Sequence, residues 1–333
     1  MNTISGKYSA HLSLIESALI VTFERKEFLK PLMEKLALMK ISRVYVAIDG
    51  PKTRTENSPQ DEIERLAVNV AKELGLQFIV WKREANLGLA LSMISAIDWF
   101  FLHERIGMIL EDDILVSKSF LNFASKALNE YADNSKVLLV SATRPESFEA
   151  NQRLGWTHYP MIWGWATTSD KWKVCKEMIL DPKPVFGAIR NSRVAFYWSL
   201  ALRRISSGRL DSWAVILASQ MRSGNFFCVI PPVNMASNIG FGELATHTKV
   251  ISRGMNANRG DWNGEFEVVS DMNIEKEAID GDSRIERFNY RVSRYVSVSF
   301  FASFVLDPLR FKRKNKLHLV NRWSKITIPG ISD

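Results

Sequence analysis

Three consecutive carboxylates lie between two apolar runs in the segment MILEDDILVSKSF, residues 108–120. The run before them, residues 106–110, is typical of a buried strand, so Glu111, Asp112 and Asp113 follow the end of that strand. Carboxylate oxygens are the ligands that Mg²⁺ and Mn²⁺ prefer, usually as one or two protein carboxylates with substrate phosphates. Asp113 is the best single ligand, and Asp112 is a candidate for sugar or ribose hydroxyls. The alternative is a solvated loop, or a helix start stabilised by acids.

The first half of the sequence alternates strand and helix patterns. It predicts strands at 17–23, 42–50, 77–83, 106–113 and 136–143, with helices at 26–40, 58–76, 86–104 and 117–132. Such alternation indicates an α/β fold with a mainly parallel sheet and helices on both faces. Ligands of such folds bind beyond the carboxyl ends of the strands. Arg25, Asp49, Asn86 and the 111–113 triplet all follow strand ends, so we expect them to share one edge.

No glycine-rich phosphate loop follows the first predicted strand. The absence of GxGxxG and GxxxxGK[ST] argues against a dinucleotide dehydrogenase and a P-loop NTPase. A bound nucleotide diphosphate would then need positive charge from elsewhere, and a divalent cation held by the carboxylates would supply it.

The second half is less regular. The segment WTHYPMIWGWATTSDKW, residues 156–172, holds four tryptophans. The flat faces of Trp163 and Trp165 would suit a sugar ring as an acceptor platform, whereas the alternative is a tryptophan-rich core. Asp211 heads a predicted amphipathic helix and could simply be its N-cap. His247 lies in a loop, where a lone histidine usually has no special role.

Composition and charge limit the class of protein. The chain has 333 residues, a net charge of +8 and two cysteines, too few for a disulfide framework or a cysteine zinc site. No signal peptide and no membrane-spanning run are evident, so we expect a cytoplasmic protein. The basic run 310–325 follows the apolar run 295–306, which favours contact with an anionic membrane surface. A core segment followed by a solvated helix is the alternative, and no nucleic-acid motif accompanies the charge.

The order of several motifs resembles that of GT-A fold glycosyltransferases, most closely the inverting N-acetylglucosaminyltransferase I family. The resemblance covers about residues 17–250, and its members in order are ALIVTFERKEFLKPLMEKL, YVAIDGP, GMILEDDILVSKSFLNF, LLVSAT, MIWGWATTSDKW, LDSW and NIGFGELATHT. The Glu-Asp-Asp match to the family's metal motif is specific. We treat the chain as a bacterial-type relative because no anchor or stem precedes the first strand.

The resemblance implies a role for each matching residue. Arg25 and Asp49 would contact the nucleotide, with Asp49 on the uracil side, and Asp113 would bind Mn²⁺ or Mg²⁺ at the UDP diphosphate. Glu111 and Asp112 would hold sugar and ribose hydroxyls. His247 would lie near the diphosphate, and Asp211 would be the catalytic base.

One departure from the family concerns that base. The family has two adjacent acids before the tryptophan, and the second is usually taken as the base, whereas this chain has Asp211-Ser212. Either Asp211 has taken the role through a one-residue shift or the base lies elsewhere, with Glu243 as the reserve candidate.

The resemblance therefore implies metal-dependent, inverting transfer of a sugar from a UDP-sugar to a hydroxyl of a glycan or lipid-linked glycan. N-acetylglucosamine as the sugar follows from the resemblance alone. The apolar and basic runs near the C-terminus favour a lipid-linked acceptor in surface polysaccharide synthesis, at the inner face of the plasma membrane. The expected organisation is a nucleotide-sugar-binding half (1–150), an acceptor-side catalytic half (151–255) and a C-terminal extension (256–333).

Two other classes stay open. A nucleotidyltransferase would share the nucleotide-binding sheet and the metal carboxylates, but it would normally carry a glycine-rich basic loop where this chain has TFERKEF. A non-catalytic protein that binds polysaccharide or a membrane surface would be favoured by loss of Asp113 or Asp211, and both are present.

Overall fold

The computed structural model describes residues 14–53, 58–148, 153–240, 262, 264–290, 322–323 and 326–330, with only the backbone of 287–290. The elements of the first half are β1 (Ser17–Thr22), α1 (Lys26–Leu38), β2 (Arg43–Ile48), α2 (Pro59–Leu74), β3 (Gln77–Lys82), α3 (Leu89–His103), β4 (Ile106–Glu111), β5 (Ile114–Val116), α4 (Lys118–Glu130) and β6 (Val137–Ser141). The five predicted strands and four predicted helices are all confirmed, and β5 is an additional short strand directly after the acidic triplet.

Local signals explain several of these boundaries. Helix α2 begins with a capping box in which the Ser58 side chain and the Asp61 carboxylate each bond the other's backbone N–H. Pro59, at the first helical position, has no backbone N–H that would need a hydrogen-bond partner. Gly75 ends the helix in the left-handed conformation.

The second half adds strands that the sequence patterns did not predict. Its elements are β7 (Gly155–Thr157), β8 (Trp165–Thr168), α5 (Ser169–Leu180), α6 (Ser192–Ser206), α7 (Trp213–Gly224), β9 (Phe227–Ile230), β10 (Ala236–Asn238) and α8 (Asp271–Tyr290). Each of these strands has only three or four residues, which is too short to display a clear two-residue hydrophobic period.

The strands form one large mixed sheet and one small ribbon. The large sheet has the order β3-β2-β1-β4-β8-β6-β9-β7, and β10 pairs with β5 in an antiparallel ribbon. Strands β1 to β4 are mutually parallel, whereas β8 runs antiparallel to both β4 and β6. The carboxyl ends of β1, β2, β3, β4 and β6 therefore meet at one edge.

Two hydrophobic cores cover the two faces of this sheet. Alternate strand residues divide between them, with Ile20 on one side and Leu19 on the other. Helices α1, α2 and α4 contribute to the first core, and α3, α5, α6 and α7 contribute to the second. The predicted α/β class, with helices on both faces of a central sheet, is confirmed.

The chain changes direction across the sheet between β1 and β4. From β1 it moves outward to β2 and β3 on one side, and it then returns through α3 to β4 on the other side of β1. The crossover helices that leave β1 and return to β4 lie on opposite faces, so a crevice forms where these two strands end. In open α/β sheets such a switch point is where ligands bind.

Parts of the predicted C-terminal extension contact the main body. Ile328 is buried, and it packs with Trp323 and Ile326 against the core that α3 and α5 share. The Lys176 ammonium lies 5.7 Å from the ring centre of Trp323. The apolar run 295–306 and all but Arg322 of the basic residues predicted to meet a membrane lie outside the described residues. No helix in the described part of the chain is long and apolar enough to cross a bilayer.

Candidate active site

Arg25 and two carboxylates meet at the switch point. Arg25 Nη1 donates to Asp113 Oδ2 at 2.8 Å, and Arg25 Nη2 donates to Asp112 Oδ1. Arg25 follows β1 and the two aspartates follow β4, so neighbouring parallel strands bring together residues 88 positions apart. The side chain of Asp112 is 3% exposed and that of Asp113 is 11% exposed, so this ion-pair cluster is largely shielded from water.

Thr22 connects this cluster to the end of the next strand. Its hydroxyl donates to Asp112 Oδ2 at 2.8 Å, and its carbonyl accepts from the Asp49 backbone N–H at 3.0 Å. No sequence pattern singles out Thr22, because a threonine at the end of an apolar strand carries no distinguishing signal. Its role depends on β1 lying between β2 and β4.

Glu111 adds a third negative charge beside the pair. No donor in the described part of the chain bonds to its carboxylate. Burial, with the neighbouring Asp113 and Asp112 charges, raises the pKa of Glu111 to about 7. Burial likewise raises the pKa of Asp112 to about 6, although Arg25 and the Thr22 hydroxyl oppose that rise. The cluster therefore carries more negative charge than Arg25 alone can stabilise.

The β5–β10 ribbon closes one side of Asp113. The Asp113 carbonyl accepts from the Ile239 N–H at 2.8 Å, and this bond places the next residue of the chain beside the Asp113 carboxylate. A Cβ at Gly240 would lie 2.3 Å from Asp113 Oδ2, so no larger residue fits there without a shift. The next residues along the chain include Glu243 and His247, and both of these predicted site residues lie outside the described residues.

Asp49 and Asn86 are in direct contact, as their positions after β2 and β3 predicted. Asp49 Oδ2 accepts from Asn86 Nδ2 at 2.9 Å, and Oδ1 accepts from the Leu87 N–H at 3.1 Å. Burial raises the pKa of Asp49 despite these donors and the nearby Arg83. Both carboxylate oxygens of Asp49 thus hold the loop between β3 and α3. If Asp49 also contacted a nucleotide base, the same two oxygens would have to bond both the base and that loop.

Asp211 does not cap α7, the helix that follows it in the sequence, but bonds to the start of α3. Ser212 is the N-cap of α7, and its hydroxyl accepts from the Val215 N–H. Asp211 Oδ1 instead accepts from the Ala90 N–H of α3 at 3.2 Å, across 121 residues. The alternative interpretation of Asp211 as the cap of its own helix is therefore wrong, because Ser212 caps α7 and the Asp211 carboxylate bonds to α3.

The start of α3 has contacts from three distant segments. Asp49 holds the Leu87 N–H, Asp211 holds the Ala90 N–H, and Arg322 Nη2 donates to the Leu87 carbonyl at 2.6 Å. Gly88 between them has a φ of 80°, and a Cβ there would lie 2.6 Å from Asp211 Oδ2. Glycine is therefore required both for the backbone conformation and for the approach of the carboxylate.

The two tryptophans of the predicted aromatic platform differ in exposure. Trp165 is 1% exposed in the centre of the sheet, where it packs on Trp213 and Trp172 with ring centres 5.9 and 6.3 Å away. The prediction that Trp165 presents a face to a sugar is wrong, because β8 pairs on both edges and the ring fills the second core. Trp163 is only partly buried and precedes β8 at the edge where β4 ends.

The acidic cluster fits a hard divalent cation in its donor chemistry. Asp112 and Asp113 direct oxygens toward a single cationic group, and oxygen ligands suit Mg²⁺ and Mn²⁺. Among the described residues, no group of three or more histidine, cysteine, aspartate or glutamate side chains is arranged to hold a metal ion. Among the described residues, Asp112 and Asp113 could therefore supply one or two ligands to such a cation.

The comparisons with known proteins give distant likenesses in structure and none in sequence. No protein-family model and no curated protein sequence matches the chain. A UDP-glucose pyrophosphorylase complexed with UDP-glucose is similar with a TM-score of 0.37 at 8% identity, over 65% of this chain and 90% of that one.

Two further solved structures are similar at the same level. A putative glucose-1-phosphate thymidylyltransferase from Bacillus anthracis has a TM-score of 0.31 at 12% identity, over 50% of this chain and 76% of that one. The glycosyltransferase GlyE of Streptococcus pneumoniae TIGR4 has a TM-score of 0.33 at 11% identity, over 62% of this chain and 43% of that one. At such scores these likenesses carry no argument about activity.

Proposed function

We propose that the protein is a metal-dependent, inverting glycosyltransferase of the GT-A type that moves a sugar from a UDP-sugar to a hydroxyl of a glycan or lipid-linked glycan. One observation carries the proposal. A carboxylate pair with an arginine lies at the switch point between β1 and β4, the place where open α/β sheets bind nucleotides. N-acetylglucosamine as the donor sugar rests on the motif resemblance alone.

The donor would bind across the ends of β2, β1 and β4. Asp113, with Asp112 beside it, would hold Mn²⁺ or Mg²⁺, which supplies charge neutralisation at the leaving diphosphate. Asp49 and Asn86 lie toward the β2 side, where the base of the nucleotide would be placed. Glu111 and Asp112 remain the candidates for hydroxyls of the sugar and ribose.

The acceptor side would include Trp163 and Asp211. The acceptor hydroxyl must lose a proton as it attacks the anomeric carbon, and a positioned carboxylate can accept that proton. The exposed Asp211 lies at the N-terminus of α3, where its Oδ1 accepts from the Ala90 N–H. Displacement in one step inverts the configuration at that carbon.

A sugar nucleotidyltransferase is the main rival, because it would use the same nucleotide-binding edge and metal carboxylates. The connection between β1 and α1 counts against it. That connection has only residues 23–25 and no glycine, so it offers no wide loop for a triphosphate. A protein that merely binds polysaccharide would need neither UDP nor a metal.

Two measurements test the proposal. Thermal denaturation with UDP and Mn²⁺ together should show a stabilisation larger than the sum of the two separate effects. A screen of nucleotide sugars with Mn²⁺ should then release UDP, whereas a nucleotidyltransferase would release pyrophosphate from UTP and a sugar 1-phosphate. Absence of any UDP effect, or release of pyrophosphate only, would overturn the assignment.

We further propose that the basic run 310–325 holds the protein on the inner face of the plasma membrane. Deletion of residues 308–333 would also remove Trp323 and Ile328 from the core, so it would confuse binding with stability. Replacement of Arg310, Lys312, Arg313, Lys314 and Lys316 by glutamine avoids that problem. The variant should lose binding to vesicles with anionic lipid, at about 1 kcal/mol per basic residue near the surface. Unchanged binding would exclude this role.

A further inference from the structure

Arg25 occupies the position where the two carboxylates can share a cation. One guanidinium bonds to Oδ2 of Asp113 and Oδ1 of Asp112, while the second oxygen of Asp112 is held by Thr22. We infer that Arg25 and a divalent cation compete for the Asp112–Asp113 pair, so that Arg25 must leave these carboxylates when a metal ion binds. The role of the donor in that exchange rests on the proposed function.

The β5–β10 ribbon lies close against one side of the Asp113 carboxylate. Gly240 lies so close that even a Cβ would be 2.3 Å from Oδ2, the oxygen that Arg25 contacts. The backbone of Ile239 bonds to the Asp113 carbonyl and fixes the ribbon in place. The side occupied by Arg25 is therefore the side on which another ligand sphere can form.

Charge makes simultaneous occupation unfavourable. The cluster is shielded from water, so a divalent ion and a guanidinium at hydrogen-bonding distance from the same carboxylates would repel each other strongly. A guanidinium stays protonated in proteins, so Arg25 has to swing away as a cation.

Arg25 is partly exposed to solvent and lies next to the start of a helix. Its side chain is 22% exposed, and it is the residue immediately before α1, whose first turn has no side-chain cap. Backbone N–H groups of such a turn attract anions. A diphosphate placed there by the donor would receive Arg25 as it leaves the carboxylates. The cation and the nucleotide would consequently bind with positive coupling, each raising the affinity for the other by the same factor.

Titration of free Mn²⁺ by electron paramagnetic resonance tests the competition without any turnover. In the absence of nucleotide, Arg25→Gln should bind Mn²⁺ at least about tenfold more tightly than the wild type, because the internal competitor is gone. UDP should raise the Mn²⁺ affinity of the wild type and have a much smaller effect on Arg25→Gln. Lys26→Gln is the matched control, since Lys26 is the next cation along the chain but pairs with Glu62 on the surface, and its Mn²⁺ affinity should equal that of the wild type.

Two further variants identify the site being titrated and replace Arg25→Gln if that variant does not fold. The double variant Asp112→Asn, Asp113→Asn should lose the Mn²⁺ site, which identifies the site being titrated. If Arg25→Gln does not fold, Arg25→Lys retains a charge with fewer donors and should still bind Mn²⁺ more tightly than the wild type. Equal or weaker Mn²⁺ binding by the folded variant overturns the competition. Failure of UDP to bind would overturn the proposed function instead, and the Mn²⁺ comparison without nucleotide would stand apart from it.

Discussion

Two buried acidic clusters of this protein are built in opposite ways. At the junction of β7, α7 and α8, Asp282 accepts from the Thr157 hydroxyl, the His158 backbone N–H and Arg222, and it contacts His158 Nδ1 at 2.6 Å. At the ends of β1 and β4, three consecutive acids face the single guanidinium of Arg25, and Glu111 has no donor in the described part of the chain. The first cluster is saturated with partners and the second is not.

The difference separates a structural role from a binding role. Buried charge is tolerated when donors surround it, and such a cluster fixes one arrangement of the elements that meet there. The Asp282 cluster fastens α8 to the sheet, since Arg222 of α7 bonds both Asp282 and Glu286 while Tyr159 donates to Glu286. The strand-end cluster lacks positive charge, and a cation brought by a ligand would supply it.

The largest expected effect is loss of stability from the saturated cluster. Asp282→Asn leaves the charge of Arg222 with fewer partners in a buried site, and it should lower the free energy of unfolding by about 3–5 kcal/mol. Urea denaturation measures this. Asp280→Asn on the exposed side of the same helix is the control and should change stability by less than about 0.5 kcal/mol. If the two variants were equally stable, Asp282 would not fasten α8.

The strand-end cluster should respond in activity instead. Asp113→Asn should reduce turnover by at least about 10²-fold with Mn²⁺ present, because a metal ligand is lost while the shape of the side chain is kept. Its thermal midpoint should stay near that of the wild type, since Asp112 still pairs with Arg25. Asp170→Asn, at an exposed acid of α5, serves as control. Wild-type turnover by Asp113→Asn would remove it as a ligand.

Asp211 tests whether a carboxylate that caps a helix can also act in chemistry. Asp211→Asn keeps an oxygen that can accept from the Ala90 N–H, so stability should barely change, while turnover at saturating donor should fall about 10²-fold. Ser212→Ala gives the contrasting case. It removes the cap of α7 and should cost about 1 kcal/mol of stability with little loss of turnover. Near-normal turnover by Asp211→Asn would make Glu243 the first candidate for the base.

The smallest expected effect concerns the pH dependence of stability without divalent cations. The pKa of Glu111 in the folded protein is about 7, above its ordinary value of about 4.3, so the folded state holds the proton more tightly. Stability from this group is complete below about pH 4.3 and is lost as the pH rises through 7. The Glu111→Gln variant has no carboxyl group at this position, so it does not lose this stability as the pH rises.

At pH 8 the Glu111→Gln variant should therefore melt a few degrees above the wild type, and the difference should vanish near pH 4. Scanning calorimetry in a chelator measures it, with the exposed Glu130→Gln as control. A variant that melts below the wild type at pH 8 would show that Glu111 is stabilised by partners after all.

The sequence by itself determined the first half of the fold and the location of the acidic site. Residues 17–141 alternate between short apolar runs, which form strands such as β1 and β4 that are buried on both faces, and segments with a period of about 3.6 residues, which form helices such as α2 and α4 with one buried face. Charged residues at the ends of such elements must lie at the sheet edge. Parallel strands bring those ends together whatever the details of packing, so Arg25, Asp112 and Asp113 could be grouped before any coordinates.

Only the tertiary structure decided which distant segments complete that edge. The sequence around Trp165 suits a sugar platform or a core equally, and antiparallel pairing of β8 between β4 and β6 made it core. Asp211 and Arg322 reach α3 across 121 and 235 residues, and Gly240 reaches Asp113 through the β5–β10 ribbon. Local periodicity encodes burial within an element, whereas contacts between remote segments depend on strand order and register, which short strands of three or four residues leave open.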